Sequence, residues 1–190
     1  MKREIFYATG NRGKFEDLHT FLKHSAPEIT LLQFAEELPE LQSTDQRFVA
    51  IEKAKEAWRR LHRPVLIDDA GIYFERYDDF PGVFTKYFYR GVGFAGIQRL
   101  VPVGDPVYYQ LHLVYAYGDS EHAVFVGRCD GTLVYPSEFP LNPPLPFDTL
   151  FVPRGETRTF AELRALGILE PYDHRVAACK DFLRWFRAER

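Results

Sequence analysis

Ile5-Phe6-Tyr7-Ala8-Thr9-Gly10-Asn11-Arg12-Gly13-Lys14 reads as strand, tight turn and helix start. An apolar run ends at the turn, and Phe15, Leu18, Phe21 and Leu22 repeat behind it at helical spacing. The two glycines permit a sharp turn and let a ligand approach the backbone. The unsatisfied N–H groups of a helix start favour an anion, and Lys14 adds a full positive charge there. A phosphate is the natural guest of such a corner; the plainer reading is a connection and nothing more. The Gly-Lys-Ser/Thr ending of a Walker loop is absent.

Outward from this corner the chain alternates. Ile29 to Phe34 reads as a second strand. Ser43 and Gln46 have capping-box spacing ahead of a helical stripe of Phe48, Ile51, Ala54, Trp58 and Leu61. Val65-Leu66-Ile67 is a buried strand running into a turn at Asp68-Asp69-Ala70-Gly71, with Ile72-Tyr73-Phe74 a short strand beyond it. Pro81-Gly82 opens a helical patch over Val83 to Phe88, and Phe94 to Leu100 is another helix. Val107 to Tyr117 and His122 to Val126 read as long strands. Asp130-Gly131 is a hairpin turn signal, Pro140, Pro143, Pro144 and Pro146 make a stiff loop, and Phe147 to Val152 is a last strand. Thr159 and Glu162 have capping-box spacing, and Asp173 is placed to cap a final helix carrying Val176, Cys179, Phe182, Leu183 and Phe186. Early alternation followed by an antiparallel run is an α/β pattern, read as a single domain over 1–190.

Composition narrows the function. The chain has 190 residues, 46% hydrophobic and 27% charged, with a net charge of −3. That balance argues against a broad nucleic-acid-binding face and leaves room for a local basic pocket. Aromatics reach 16%, so the core is built on Phe and Tyr. Cys129 and Cys179 lack zinc or redox spacing. No apolar run is long enough for a membrane span, and Met1-Lys2-Arg3-Glu4 leads into a short strand rather than a signal segment, so a cytoplasmic location is expected.

Asp68-Asp69, at the end of a buried strand, places hard oxygen donors where open α/β sheets bind ligands, and such donors suit magnesium with substrate phosphates. Asp and Gly also gather in turns for local reasons. Glu40 follows Leu38-Pro39 in a loop, where a lone Glu is ordinarily just solvated. Lys53 sits beside Ala50 and Ala54 and could equally snorkel. Lys86, four residues after Gly82, reads by itself as a surface charge. His174-Arg175 puts basic residues at a helix start, against the macrodipole, which hints at a purpose beyond stability.

Together these pieces resemble the inosine triphosphate pyrophosphatase family. The matching stretches are Thr9-Gly10-Asn11-Arg12-Gly13-Lys14, Leu38-Pro39-Glu40, Ala50 with Lys53-Ala54, and Pro64 to Gly71. They continue through Phe80-Pro81-Gly82-Val83 with Lys86-Tyr87, Phe125-Val126-Gly127-Arg128 with Gly131, and Phe147-Asp148 with Phe151. Thr159 to Leu163 and His174-Arg175 with Ala177 complete an ordered set over nearly the whole chain. The resemblance implies an elongated mixed sheet with flanking helices, two lobes around a central cleft, and a homodimer. It also implies Mg²⁺-dependent hydrolysis of nucleoside triphosphates to a monophosphate and pyrophosphate. Thr9, Asn11 and Lys14 would hold phosphate with Lys53 and Lys86. Glu40 and Asp69 would hold the metal, and Asp69 or Asp68 would help activate water. Phe147 would stack on the base, with Asp148, His174 and Arg175 lining its pocket.

Three departures fall on the base-reading half. Prolines replace glycines in Pro144-Leu145-Pro146-Phe147-Asp148-Thr149. Asp173 stands where the family has a serine before His-Arg, and Leu169 stands where a lysine is expected. Two donors to a purine keto group are therefore gone, which points to a shifted base preference. The alternative is a nucleotide-binding sensor or regulatory protein on the same fold with little turnover. The P-x-x-P spacing in 140–146 also admits a peptide-binding reading, although a stiff loop beside a pocket explains it more simply.

Overall fold

The computed structural model describes residues 3–39, 41–141 and 143–189. The chain alternates β1 (Arg3–Ala8), α1 (Arg12–Ser25), β2 (Ile29–Phe34), α2 (Gln46–Leu61) and β3 (Val65–Phe74). It continues as β4 (Phe80–Gly82), α3 (Thr85–Leu100), β5 (Pro106–Ala116), β6 (His122–Leu133), β7 (Phe151–Pro153), α4 (Phe160–Ala165) and α5 (His174–Ala188). The strands form one 7-stranded mixed sheet in the order β2-β1-β3-β5-β6-β7, with β4 paired to β3. β1 runs parallel to β2 and β3, whereas β3–β4 and β6–β7 are antiparallel.

The chain divides into two compact units, one of residues 1–69, 111–127 and 175–190, the other of 70–110 and 128–174. In the first unit, Ala50, Ala54 and Ala57 of α2 pack on Ala8, Val65, Ile67, Val114 and Ala116 of the sheet. Because strand side chains alternate, this face also receives Asp69 of β3 and His112 of β5. Tyr7 and Asp68 take the opposite face, where Tyr115 of β5 meets Phe182, Trp185 and Phe186 of α5. The second unit is built around Phe74, Tyr109, Phe147, Phe151 and Phe160, with Ile97, Leu163 and Leu169.

Several expectations are corrected. The α2 cap is Asp45, whose carboxylate accepts from Phe48 N–H at 3.0 Å, while Ser43 accepts from Asp45 N–H. The buried face of α2 is Val49, Ala50, Ala54 and Ala57, and Phe48 is 47% exposed. Small alanines let the helix lie close to the sheet. Asp68 to Gly71 is not a turn, because β3 runs straight through it. Gly71 is needed for close approach: a Cβ there would stand 2.3 Å from the carbonyl oxygen of Gly82 on β4. Asp130-Gly131 likewise makes no hairpin, and β6 continues past it. A Cβ on Gly131 would meet the Val152 carbonyl oxygen at 2.2 Å. Phe147 lies on a 3-10 turn over Pro146–Thr149, since proline starts a helical turn readily and cannot donate to a strand ladder; β7 begins at Phe151. The segment Phe80–Gly82 is a strand, and its helix starts at Thr85. The Thr159–Glu162 capping box is present as expected.

Candidate functional site

In the first unit the corner after β1 is stabilised by its own side chains. Thr9 Oγ1 accepts from Asn11 N–H at 3.2 Å, and Asn11 Oδ1 caps α1 by accepting from Lys14 N–H at 3.1 Å. Neither Gly10 nor Gly13 adopts a positive φ, so the turn does not require glycine for its geometry. A Cβ at Gly10 would meet nothing within 4 Å, so the space beside this corner is open.

Lys14 reaches from the first turn of α1 to Asp68, Nζ to Oδ2 at 3.0 Å. Arg175, from α5, donates to the same oxygen at 3.2 Å, and the Tyr7 hydroxyl donates to Oδ1 at 2.5 Å. Burial alone would push the Asp68 pKa up. The Lys14 ammonium, the Arg175 guanidinium and the Tyr7 hydrogen bond outweigh it and hold the carboxyl well below the usual carboxylate range. The Tyr7 hydroxyl is pushed well above its ordinary pKa, by burial first and then by the Asp68 charge.

Asp69 points to the other face and accepts from Lys53 Nζ at 3.0 Å. Both side chains are largely buried. Adjacent carboxylates therefore serve different helices: Asp68 gathers α1 and α5, and Asp69 gathers α2. Glu40 lies outside the described residues. Among those described, no group of three or more His, Cys, Asp or Glu is placed to hold a metal ion.

The second unit holds the remaining predicted residues. Asp148 Oδ1 accepts from the Tyr109 hydroxyl at 3.1 Å, and Oδ2 accepts from Arg164 Nη2 at 3.0 Å. The His174 ring stacks on Tyr109 with centroids 4.7 Å apart. Phe147 is 4% exposed, its ring closed against Phe74 and Tyr89. Leu169, standing where a lysine was expected, belongs to the apolar core. Lys86 is exposed on the first turn of α3, with its ammonium 5.6 Å from the Tyr87 ring centroid.

Sequence reading did not single out Tyr109, His112 or Arg164, quoted Tyr7 only as the end of an apolar run, and gave Gln46 only a capping-box spacing. Tyr7 carried one signal, since the strand period of two places it on the opposite face of β1 from Ala8. Arg164 carried another, lying two residues after the glutamate of a capping box.

The family model of the Ham1 family matches residues 5–185. The chain is 31% identical over 183 residues to the dITP/XTP pyrophosphatase of Thermococcus kodakarensis, covering 96% of this chain and 97% of that one. It is 33% identical over 165 residues to the inosine triphosphate pyrophosphatase of Batrachochytrium dendrobatidis, covering 85% and 83%. Among solved structures, the Ham1 protein of Staphylococcus aureus superposes with a TM-score of 0.76 at 21% identity, covering 99% of this chain and 100% of that one, a likeness of fold. With the motifs in order and the match running almost end to end, the chain belongs to the Ham1 family, the inosine triphosphate pyrophosphatase family that its sequence resembles.

Proposed function

We propose that this chain hydrolyses nucleoside triphosphates, with modified or deaminated purine nucleotides as substrates, to nucleoside monophosphate and pyrophosphate. Its role would be to clear such nucleotides from the pool. The observation that carries the reading is the group at Asp68 and Asp69: two carboxylates on opposite sheet faces, bonded to Lys14, Arg175 and Lys53. Lys14, on the first turn of α1, and Arg175 beside it suit a polyanion, and Lys53 adds a cation on the other sheet face.

The donor chemistry fits Mg²⁺. Magnesium is held through one or two carboxylates with substrate phosphates completing its shell, so a full protein cage is not needed. Asp69 would hold it, with Glu40, which lies outside the described residues. When bound, the ion neutralises triphosphate charge and polarises phosphoryl oxygens. The chain's own groups do the positioning. Thr9, Asn11 and the first N–H groups of α1 receive phosphate oxygens, and Lys14 and Lys53 balance their charge. Asp69 orients the attacking water. Asp68, enclosed by three donors and held ionised, positions Lys14 and Arg175 rather than exchanging protons with water. In the second unit, Asp148, His174 and Phe147 are the residues given to the base, and Lys86 is given to phosphate.

The alternative, a nucleotide-binding sensor with little turnover, makes no use of the carboxylate–lysine pairing. Homodimer formation and a cytoplasmic location belong to the same reading; no described helix is long and apolar enough to cross a membrane. The deciding experiment is a pyrophosphate-release screen over standard and modified nucleoside triphosphates with magnesium. Release from inosine, xanthosine or another modified purine triphosphate supports the enzyme. Binding without release from any of them sinks it in favour of the sensor.

A further inference from the structure

Gln46 opens α2 and is 4% exposed, while His112 on β5 is 7% exposed. Their side chains meet at 2.8 Å, Nδ1 to Oε1, across 66 positions of sequence. An amide oxygen only accepts, so the imidazole Nδ1 carries a proton and donates it, as the neutral Nδ1–H form can. Burial lowers the His112 pKa, and nearby Arg47 adds to the lowering against Asp69 and Asp45, which favours the same neutral form.

Gln46 and Lys53 are related as i, i+7 on α2, which puts them on one face about two turns apart. His112 and Asp69 share the sheet face that α2 covers, on the neighbouring strands β5 and β3. The helix is therefore bonded to the sheet by polar contacts at two levels: Gln46 to His112, and Lys53 to Asp69. Ala50 lies between these levels and Ala54 directly after Lys53, both buried. An alanine face sets how close a helix lies but offers little relief to oppose rotation about its axis. A directional hydrogen bond supplies that missing restraint. Burying two polar side chains in an apolar layer is costly unless they bond to each other, so the pair contributes specificity of placement more than stability.

We propose that the Gln46–His112 hydrogen bond is a positioning device that fixes the rotation of α2 and thereby holds Lys53 against Asp69. Its catalytic consequence rests on the role given to Lys53 and Asp69 above; the positional claim stands independently of it.

The test uses the full chain and two variants, Gln46→Leu and the double variant Gln46→Leu/His112→Leu. The double variant guards against misfolding, because replacing both partners by apolar groups is nearly neutral for stability. The side-chain ammonium ¹⁵N signals of Lys53 and Lys14 are followed by NMR, with Lys53→Arg providing the assignment. In the wild type both ammonium groups should be protected by their carboxylates. In both variants the Lys53 signal should broaden or vanish, while that of Lys14, which is held by Asp68, persists. In parallel, kcat for a triphosphate that the wild type turns over should fall about tenfold with KM changed less than about twofold, the split expected when a transition-state contact loosens. An unchanged Lys53 signal in both variants overturns the proposal, as does an unchanged kcat in an active enzyme. A wild type that hydrolyses no triphosphate overturns the proposed activity instead, while the ammonium signals still decide whether Gln46 positions Lys53.

Discussion

Arg175 Nη2 and Asp68 Oδ2 lie 3.2 Å apart, although 107 positions of sequence separate them. Both side chains are almost wholly buried, and Lys14 shares the same carboxylate oxygen. One ionised group thus ties the last helix to the first turn of α1 at the other end of the chain. Removing the anion would take from a buried guanidinium the carboxylate that it shares with Lys14.

Asp68→Asn should therefore cost about 3–5 kcal/mol of stability, the range for breaking one partner out of a buried ion pair. Urea denaturation of the variant beside the wild type measures it. A loss below about 1 kcal/mol would mean that the cluster is solvated and its carboxylate dispensable.

The same group sets a pH dependence. Its folded pKa lies below the unfolded value of about 3.9, so its contribution is present above that value and is lost as pH falls through the range beneath it. His112 acts in a higher window. Its folded pKa is lowered, so the unfolded chain gains a proton first, and stability declines as pH drops below about 6.5. Chemical denaturation between pH 7 and 3 should show two stages of loss, the lower one missing in Asp68→Asn and the upper one missing in His112→Leu. Parallel curves for all three proteins would contradict both assignments.

Gly71→Ala and Gly131→Ala should each destabilise by about 1–3 kcal/mol or more, since overpacking against backbone cannot be relieved by a rotamer change. The added methyl would meet the Gly82 carbonyl oxygen at 2.3 Å or the Val152 carbonyl oxygen at 2.2 Å. Gly10→Ala, with nothing within 4 Å, is the control and should be tolerated in the free protein. Thermal melts of the three variants give the ranking, and equal melting temperatures would contradict it.

Asp69→Ala should reduce pyrophosphate release at least a hundredfold with the fold retained, and a chelator should do the same to the wild type. Glu40→Ala should match it. Near-normal release by either variant with magnesium present would remove that residue from the metal site.

Base preference should be shifted from inosine and xanthosine triphosphates, or weakened, because Asp173 and Leu169 remove two donors. Both oxygens of Asp148 already accept hydrogen bonds, from Tyr109 and Arg164. Because Leu169 is packed in the core, Leu169→Lys should destabilise the protein rather than restore a donor. The expected kcat/KM ratio of inosine over adenosine or guanosine triphosphate is below about tenfold. A clean, strong inosine preference would show that the substitutions are silent.

Much of the chemistry was legible in the residues. The β1–turn–α1 corner, the helix of α5 and the Thr159–Glu162 cap follow from local spacing, and the ordered motifs identify the family. Gly71 and Gly131 were misread as turns because their neighbours, Gly82 and Val152, come from other strands, and a local window holds no trace of them. The Asp45 cap was missed for a nearer-to-hand reason, since Ser43 offers the same chemistry two residues earlier and only the chain direction decides between them.

The sequence by itself determined which groups this protein has to work with: two adjacent carboxylates, three lysines, a histidine–arginine pair and a capped corner after β1. Tertiary structure alone decided their partners. Strand alternation sends Asp68 and Asp69 to opposite faces, and the helices covering those faces determine that one carboxylate binds Lys14 and Arg175 while the other binds Lys53. It also joined Gln46 to His112, two residues with no motif between them. Local signals record what each segment becomes; a buried hydrogen bond between distant segments exists only once the layers between them have packed.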